Sequence, residues 1–514
     1  MKALVLAPHP DDEINIAGST IINLIRAGVE VFVAYSTNGD FNVPADIRAA
    51  EAVKALSILG VERDHIIWLG YGDTFNKTGK PHVFYANAPT KSPAGHVETY
   101  APDGFEPWRH SSYTRQNFFS DLESLIENLR AEIIFCVDFD FHADHRALSL
   151  AFDKVMAKIL RRSDYRPEVY KKLAYATAFT APQDLHSNNL LSTPRPKIGL
   201  EAYTFDLIDK FYYDWSARIR FPMPPDCREP SIKNPIAKAA FAHRSQRVQW
   251  NAFAVINADS IFFERRTDSA TFNADVTASS GDPSFVNDFQ MLDVEDINDD
   301  PPTFANYYWA PTVDDPERRL TFNWKEPQTV ERIKIYGTLD GVIDKLRISL
   351  DNITSMDCRV ERGGLPTVID LERPIAITRA EFSIIDQIVN GGISEIEMLP
   401  SKVRAVPPFI KITCDDQFIY DYKLPSKIKQ IELDIYRFHC NRRVHFKIDG
   451  GTIIGVDGDR ITVRLDRKVV RFRAEVDENI FDEITIRRVS AIYFWRLRLK
   501  QLLERIYIHW IRKF

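Results

Sequence analysis

Residues 2–13 read KALVLAPHPDDE, and this stretch decides the fold of the first half of the chain. The apolar run at 2–7 has the length of a strand, not a helix. Two residues further on, His9-Pro10-Asp11-Asp12-Glu13 gathers one imidazole and three carboxylates. The pattern repeats outward from there. Residues 17–27 have helical spacing up to Gly28, and EVFVAYST (30–37) is a second strand. Residues 45–59 form a helix ending at Gly60, and HIIWLG (65–70) is a third strand. An amphipathic helix at 118–131 leads into the strand EIIFCV at 132–137. This alternation predicts an α/β, Rossmann-like domain with a mostly parallel sheet covered on both faces. In such folds, ligands sit outside the carboxyl ends of the strands.

A second polar cluster follows the strand 132–137: Asp138, Asp140, His142, Asp144 and His145. If that strand neighbours 2–7, both clusters open into one crevice. Imidazole together with carboxylate suits a borderline metal such as zinc. Three protein ligands and one open position make a catalytic site, because bound water then ionises near neutrality. A carboxylate beside that water can take its proton. With Asp11 and Asp12 adjacent, one can bind metal while the other does acid–base work. The plain reading of an aspartate pair after a strand is a turn or a helix cap.

APHPDDE (7–13) with HADH (142–145) resembles the PIG-L/LmbE-like N-acetylglucosaminyl deacetylases. The resemblance covers residues 1–268. It extends to Arg48-Ala-Ala-Glu51, Leu69-Gly-Tyr-Gly-Asp73, His243-Arg-Ser-Gln246 and Phe263-Glu-Arg-Arg266. It implies His9, Asp12 and His145 as ligands of Zn2+, or of another divalent metal. It implies Asp11 as general base. His142 would stabilise the oxyanion or protonate the leaving amine, with Asp144 as its orienting neighbour. Arg48 and Asp73 match positions that hold sugar hydroxyls. Glu13 and 243–246 match without an assigned role. Beside these stand plainer readings: Arg48 and Glu51 as a helix-surface pair, Asp73 as a turn residue, His243 as a core histidine. The insert 76–117 would read the acceptor part of the substrate.

The implied activity is hydrolytic removal of acetyl from an N-acetylated amino sugar. That sugar would belong to a nucleotide-, lipid- or polymer-linked intermediate in cell-surface polysaccharide or glycolipid synthesis. One rival is a zinc amidase acting on a non-sugar acyl amide. Another is a glycan- or membrane-binding scaffold with an inactive catalytic domain.

Beyond residue 268 the signals become short strands. Residues 269–400 resemble a discoidin-like galactose-binding jelly roll, on Tyr308-Trp309, LTFNW followed by VERIKIYGT, and GGISEIEML. The resemblance implies a glycan contact at its loops; the plainer reading is a structural module. The acidic run Asp293, Glu295, Asp296, Asp299 and Asp300 is either a calcium site or a solvated loop. Residues 401–490 read as a small, immunoglobulin-like β-sandwich. Residues 491–514 read as a basic amphipathic helix. Trp495, Leu499, Leu502, Leu503, Ile506 and Trp510 share one face, opposite Arg498, Gln501, Arg505, His509 and Arg512. It would lie on an anionic membrane surface, or else dock on the protein itself or dimerise.

Composition limits the partners. The chain has 514 residues, 66 Lys+Arg against 72 Asp+Glu, and a net charge of -6, which disfavours a nucleic-acid role. No apolar run is long enough to span a bilayer. The N-terminus turns acidic too soon for a secretory signal, and the five cysteines are scattered with no CxxC. The expectation is a cytoplasmic protein, peripheral on the inner face of the membrane through its tail.

Overall fold

The computed structural model describes residues 1–74, 83, 86–139, 142–172, 174, 218–227, 233–246, 259–291, 307–338, 341–351, 353–361, 366–388, 391–404, 408–415 and 417–511. Asp140, part of the insert 76–117 and the acidic run 293–300 lie outside them.

The first unit is built on a seven-stranded sheet. Its strands are β1 (Lys2–Ala7), β2 (Glu30–Thr37), β3 (Ile66–Tyr71), β4 (Ile133–Val137), β5 (Glu168–Lys172), β6 (Ile219–Pro222) and β7 (Asp259–Arg265). Their order is β3-β2-β1-β4-β5-β7-β6. The first five run parallel. β7 is antiparallel to both β5 and β6, so the sheet is mixed at one edge. The helices are α1 (Asp12–Arg26), α2 (Ala45–Leu59), α3 (Arg115–Leu129), α4 (Ala143–Arg162) and α5 (Pro235–Ala242). Ala3 to Ala7 are all buried, as a central parallel strand requires when both faces are covered.

β1 and β4 are direct neighbours, with Leu6 opposite Cys136. The chain winds outward from β1 to β3 on one side and from β4 to β5 on the other. The switch point therefore falls between β1 and β4, where such sheets open a crevice. Both polar clusters emerge there. α1 begins at Asp12, five residues before the apolar spacing shows a helix. The acidic motif is itself the first turn, where carboxylates complement the helix dipole but carry no apolar signal. α2 ends as read, with Gly60 at φ +98°. Thr114 caps α3 by accepting from the Asn117 N–H.

The second unit is one antiparallel sheet of β8 (Asp275–Ala278), β9 (Arg319–Gly337), β10 (Val342–Leu350), β11 (Thr354–Val360), β12 (Thr367–Ile388) and β13 (Ile393–Leu399). The runs 319–324 and 331–337, separate in sequence, are one strand. Pro327 interrupts the pattern, yet the strand continues through a register shift against β12. Its two halves bury Leu320, Phe322, Ile333 and Ile335 in the same core. The discoidin-like assignment rests on sequence pattern alone.

The third unit has two sheets around one core. β14 (Phe409–Cys414), β15 (Gln417–Phe418), β17 (Gln430–Phe438), β19 (Gly451–Asp457) and β20 (Arg460–Leu465) form one. β16 (Asp421–Pro425), β18 (His445–Asp449), β21 (Val469–Glu475) and β22 (Phe481–Val489) form the other. The chain closes with α6 (Ala491–Ile511). Both β units are fastened to the first. The Arg161 Nη2 donates to Asn287 O at 2.9 Å, and the Arg220 N–H donates to the Tyr436 hydroxyl at 2.9 Å.

Candidate active site

The turn from β1 into α1 supplies His9, Asp11 and Asp12. The turn from β4 into α4 supplies His142, Asp144 and His145. Asp12 and His145 are completely buried and His9 nearly so. Asp12 Oδ2 lies 2.9 Å from His9 Nδ1 and 3.1 Å from His145 Nε2. Three groups from segments more than a hundred positions apart thus converge on one point. His142 joins them, with its ring centroid 4.6 Å from that of His9 and 4.9 Å from that of His145.

The other ring nitrogen of His9, Nε2, is 3.1 Å from Asp144 Oδ2. Asp144 therefore orients His9 through its carboxylate. It reaches His142 through its backbone, whose N–H donates to His142 Nδ1 at 3.2 Å. An Nδ1 that accepts must leave the ring proton on Nε2. The Thr74 hydroxyl donates to Asp144 Oδ1, and the Thr74 N–H donates to Oδ2 at 3.2 Å.

Asp11 sits at φ +144°, where a side chain is strained, and its neighbours hold it there. Its N–H donates to Glu13 Oε2 at 2.8 Å, and Glu13 Oε1 is 2.7 Å from His243 Nε2. Arg48 Nη2 donates to Pro10 O at 2.8 Å and to Asp11 Oδ1 at 3.1 Å, while Nη1 donates to Gly39 O at 2.9 Å. Arg48 is therefore a buried clamp joining the β1 and β2 turns, not a surface partner of Glu51. Gly39, at φ +65°, leaves room for that guanidinium, which any Cβ would strike. Glu51 instead accepts from the N–H and hydroxyl of Ser245, at 2.8 and 2.7 Å. Asp73 lies 3.9 Å from His9 Nε2 and 3.7 Å from Arg48 Nη1. Its N–H donates to Asp40 Oδ1 at 2.8 Å.

His9, Asp11, Gly39, Phe41, Asn42, Arg48, Asp73, His142 and Gln246 line the cleft above this cluster. Asp40, Phe41, Asn42 and Thr74 carried no sequence signal beyond lying past strand ends. Only the sheet order brings them to the crevice.

The electrostatics are dominated by carboxylate. Asp11, Asp12, Glu13, Asp40, Asp73 and Asp144 surround one guanidinium and four imidazoles. Burial opposes a charge on His9, but Asp73, Asp12 and Asp144 outweigh it and raise its pKa well above the usual value. Burial likewise opposes ionisation of Asp12, yet His145 and His9 hold it well below the carboxylate range. Burial pushes Asp11 up to about 6 despite Arg48. Burial, with His9 and His145 beside it, keeps His142 well below its usual pKa.

This donor set fits a divalent cation. Asp12 Oδ2 makes pairwise contacts of 2.9 and 3.1 Å with His9 and His145, and ligand atoms of His9, Asp73 and Asp144 lie within 4.8 Å of one another. One ligand atom each from His9, His142 and His145 also lies within 4.8 Å of the other two. A buried excess of carboxylate over fixed cations is costly unless a cation offsets it.

Fold and site together define an α/β protein with a metal-type crevice at its switch point. Residues 4–156 match the family model described as GlcNAc-PI de-N-acetylase, PIG-L, so the chain carries a domain of that family there. Solved structures that resemble the chain include N,N'-diacetylchitobiose deacetylase from Pyrococcus horikoshii, at 18% identity, 52% of this chain, 84% of that one and a TM-score of 0.29. A zinc-inhibited form of teicoplanin deacetylase matches at 12% identity, 51% of this chain, 97% of that one and a TM-score of 0.31. The deacetylase of the A40926 pseudoaglycone matches at 13% identity, 52% and 97% coverage and a TM-score of 0.29. No curated protein matches the sequence.

Proposed function

We propose that the crevice hydrolyses the acetamide of an N-acetylated amino sugar, releasing acetate and a free amine. The observation that carries this reading is the position of Asp12 Oδ2 between His9 Nδ1 and His145 Nε2, with Asp11 facing the same cleft. The PIG-L match over 4–156 supports it. His9, Asp12 and His145 would hold the ion, for which zinc is the natural occupant of a two-imidazole, one-carboxylate set. When bound, such an ion supplies Lewis acidity and lowers the pKa of water.

The chain's own residues do the rest. Asp11, facing the cleft and held by Arg48, takes a proton from the attacking water. The new C–O bond forms at the acetyl carbon. His142 offers its Nε2–H to the oxygen where negative charge develops. Asp11 then returns its proton to the leaving nitrogen as the C–N bond breaks. Asp144 orients His9 and His142 together, and Arg48 fixes Asp11. Asp73, on the cleft wall beside His9 and Arg48, faces the sugar hydroxyls.

The test is acetate release across a panel of lipid-linked N-acetylglucosamine, diacetylchitobiose, free N-acetylglucosamine and simple acetamides. The reading expects N-acetyl sugars to be turned over in preference to acetamides. Preference for a non-sugar amide would make the protein an amidase. Failure to release acetate from every donor, with tight glycan or vesicle binding, would make it a scaffold.

A further inference from the structure

The last helix turns its apolar stripe away from the protein. α6 rests on β16. Phe494, Leu497 and Arg498 are half-buried, and the Arg498 guanidinium stands 5.3 Å from the Phe494 ring. On the other side, Ile492, Trp495, Leu499 and Leu503 are 70%, 69%, 55% and 56% exposed. Spacings of three, four and four residues align them on one helical face. The sequence continues that spacing to Ile506 and Trp510. Side chains this large are seldom left in a row facing water without a partner.

Charge identifies the partner. Arg496 and Lys500 are exposed beside the stripe. The stretch 491–514 carries six Lys/Arg (Arg496, Arg498, Lys500, Arg505, Arg512, Lys513) against one acid, Glu504, in a chain of net charge -6. Positive charge beside an exposed Trp/Leu face complements an anionic lipid surface. A second copy fits poorly, because two such helices would bring like charges together. Docking back on the protein is not what the described residues do, since the stripe points outward. No helix among the described residues is long and apolar enough to cross a membrane, so the contact is with its surface.

We propose that α6 holds this protein to anionic bilayers through Ile492, Trp495, Leu499 and Leu503, with Arg496 and Lys500 reading the headgroup charge. The proposal stands on the exposure and charge of the helix and is independent of the catalytic reading. The experiment is co-sedimentation of the full chain with vesicles of phosphatidylcholine alone or mixed with phosphatidylglycerol, alongside analytical ultracentrifugation without lipid. The wild type should bind the mixed vesicles at least about tenfold more tightly than the neutral ones. Trp495→Ser with Leu499→Ser, both at exposed positions, should weaken binding by about tenfold or more while leaving thermal unfolding in place. Arg496→Glu with Lys500→Glu should remove the preference for anionic lipid. Absence of vesicle binding, or binding that ignores both pairs of substitutions, would overturn the proposal. A dimer that the Trp495/Leu499 pair dissolves would assign the stripe to a second copy and would equally overturn it.

Discussion

Two buried charge clusters flank neighbouring strands of one sheet, and they differ in charge balance and in access. Beyond β1 and β4, six carboxylates crowd around a single guanidinium and open into a cleft. Behind β5, Lys171 is sealed from solvent. Its Nζ lies 2.8 and 2.9 Å from the Asp153 oxygens, 2.8 Å from Ser149 Oγ and 3.4 Å from Asp138 Oδ1. Arg265 stands 3.9 Å from Asp153. Burial opposes the charge on Lys171, yet Asp138 and Asp153 outweigh it and raise its pKa. There, two cations meet two carboxylates and no opening is needed. The cleft cluster has a carboxylate excess, imidazoles at ligand spacing and an entrance. A self-compensated cluster holds a fold together, whereas an uncompensated open one calls for a cation.

The sharpest way to break this contrast is at Asp11. Asp11→Asn should cut acetate release by about 10²–10⁴-fold while metal content measured by mass spectrometry stays unchanged. Loss of the ion would instead make Asp11 a ligand. Next in size is the closed cluster. Lys171→Met strands two buried carboxylates and should destabilise by about 3–5 kcal/mol, read by urea unfolding. Unaltered stability would remove the distinction between the two clusters.

The closed cluster shows where sequence reading stops. Strands β1 and β2 and helix α2 were legible to the residue, because apolar alternation and a terminal glycine mark them. The meeting of the clusters at 9–13 and 142–145 was legible, because each follows a strand and the two strands were expected to be neighbours. Lys171, in EVYKK, was not, since nothing local separates a buried lysine from a solvated one. Thr74 and Asp40 were silent for a related reason: their partners Asp144 and Asp73 are reached only through the strand order. The register shift beyond Pro327 hid the continuity of β9. The exposed stripe of α6 was visible as periodicity, but which side faced the protein was not.

Chelation probes the same contrast from the other side. An ion at about 100 times its Kd adds about 2.7 kcal/mol to stability, so chelation should lower the Tm of the wild type. It should leave Asp12→Ala unmoved. An equal drop in both would place the ion elsewhere.

The smallest effect lies at the junction with the second unit. Burial raises Asp288 to about 6, beside Glu395, whose Oε2 accepts its N–H at 3.1 Å. The folded chain therefore binds a proton that the unfolded chain has released between pH about 4 and about 6. Stability from this group should fall as pH rises through that window, by less than about 1.4 kcal/mol per pH unit. Asp288→Asn should flatten that slope in unfolding curves taken from pH 4 to 7.

The central claim is that His9, Asp12 and His145 share one divalent ion. Metal stoichiometry measured on the purified wild type and on His145→Ala, with acetate release followed in the same samples, addresses it most directly. The account predicts one tightly held equivalent in the wild type, and loss of both ion and turnover in the variant. A full equivalent retained by His145→Ala, or undiminished acetate release from metal-stripped wild type, would contradict it.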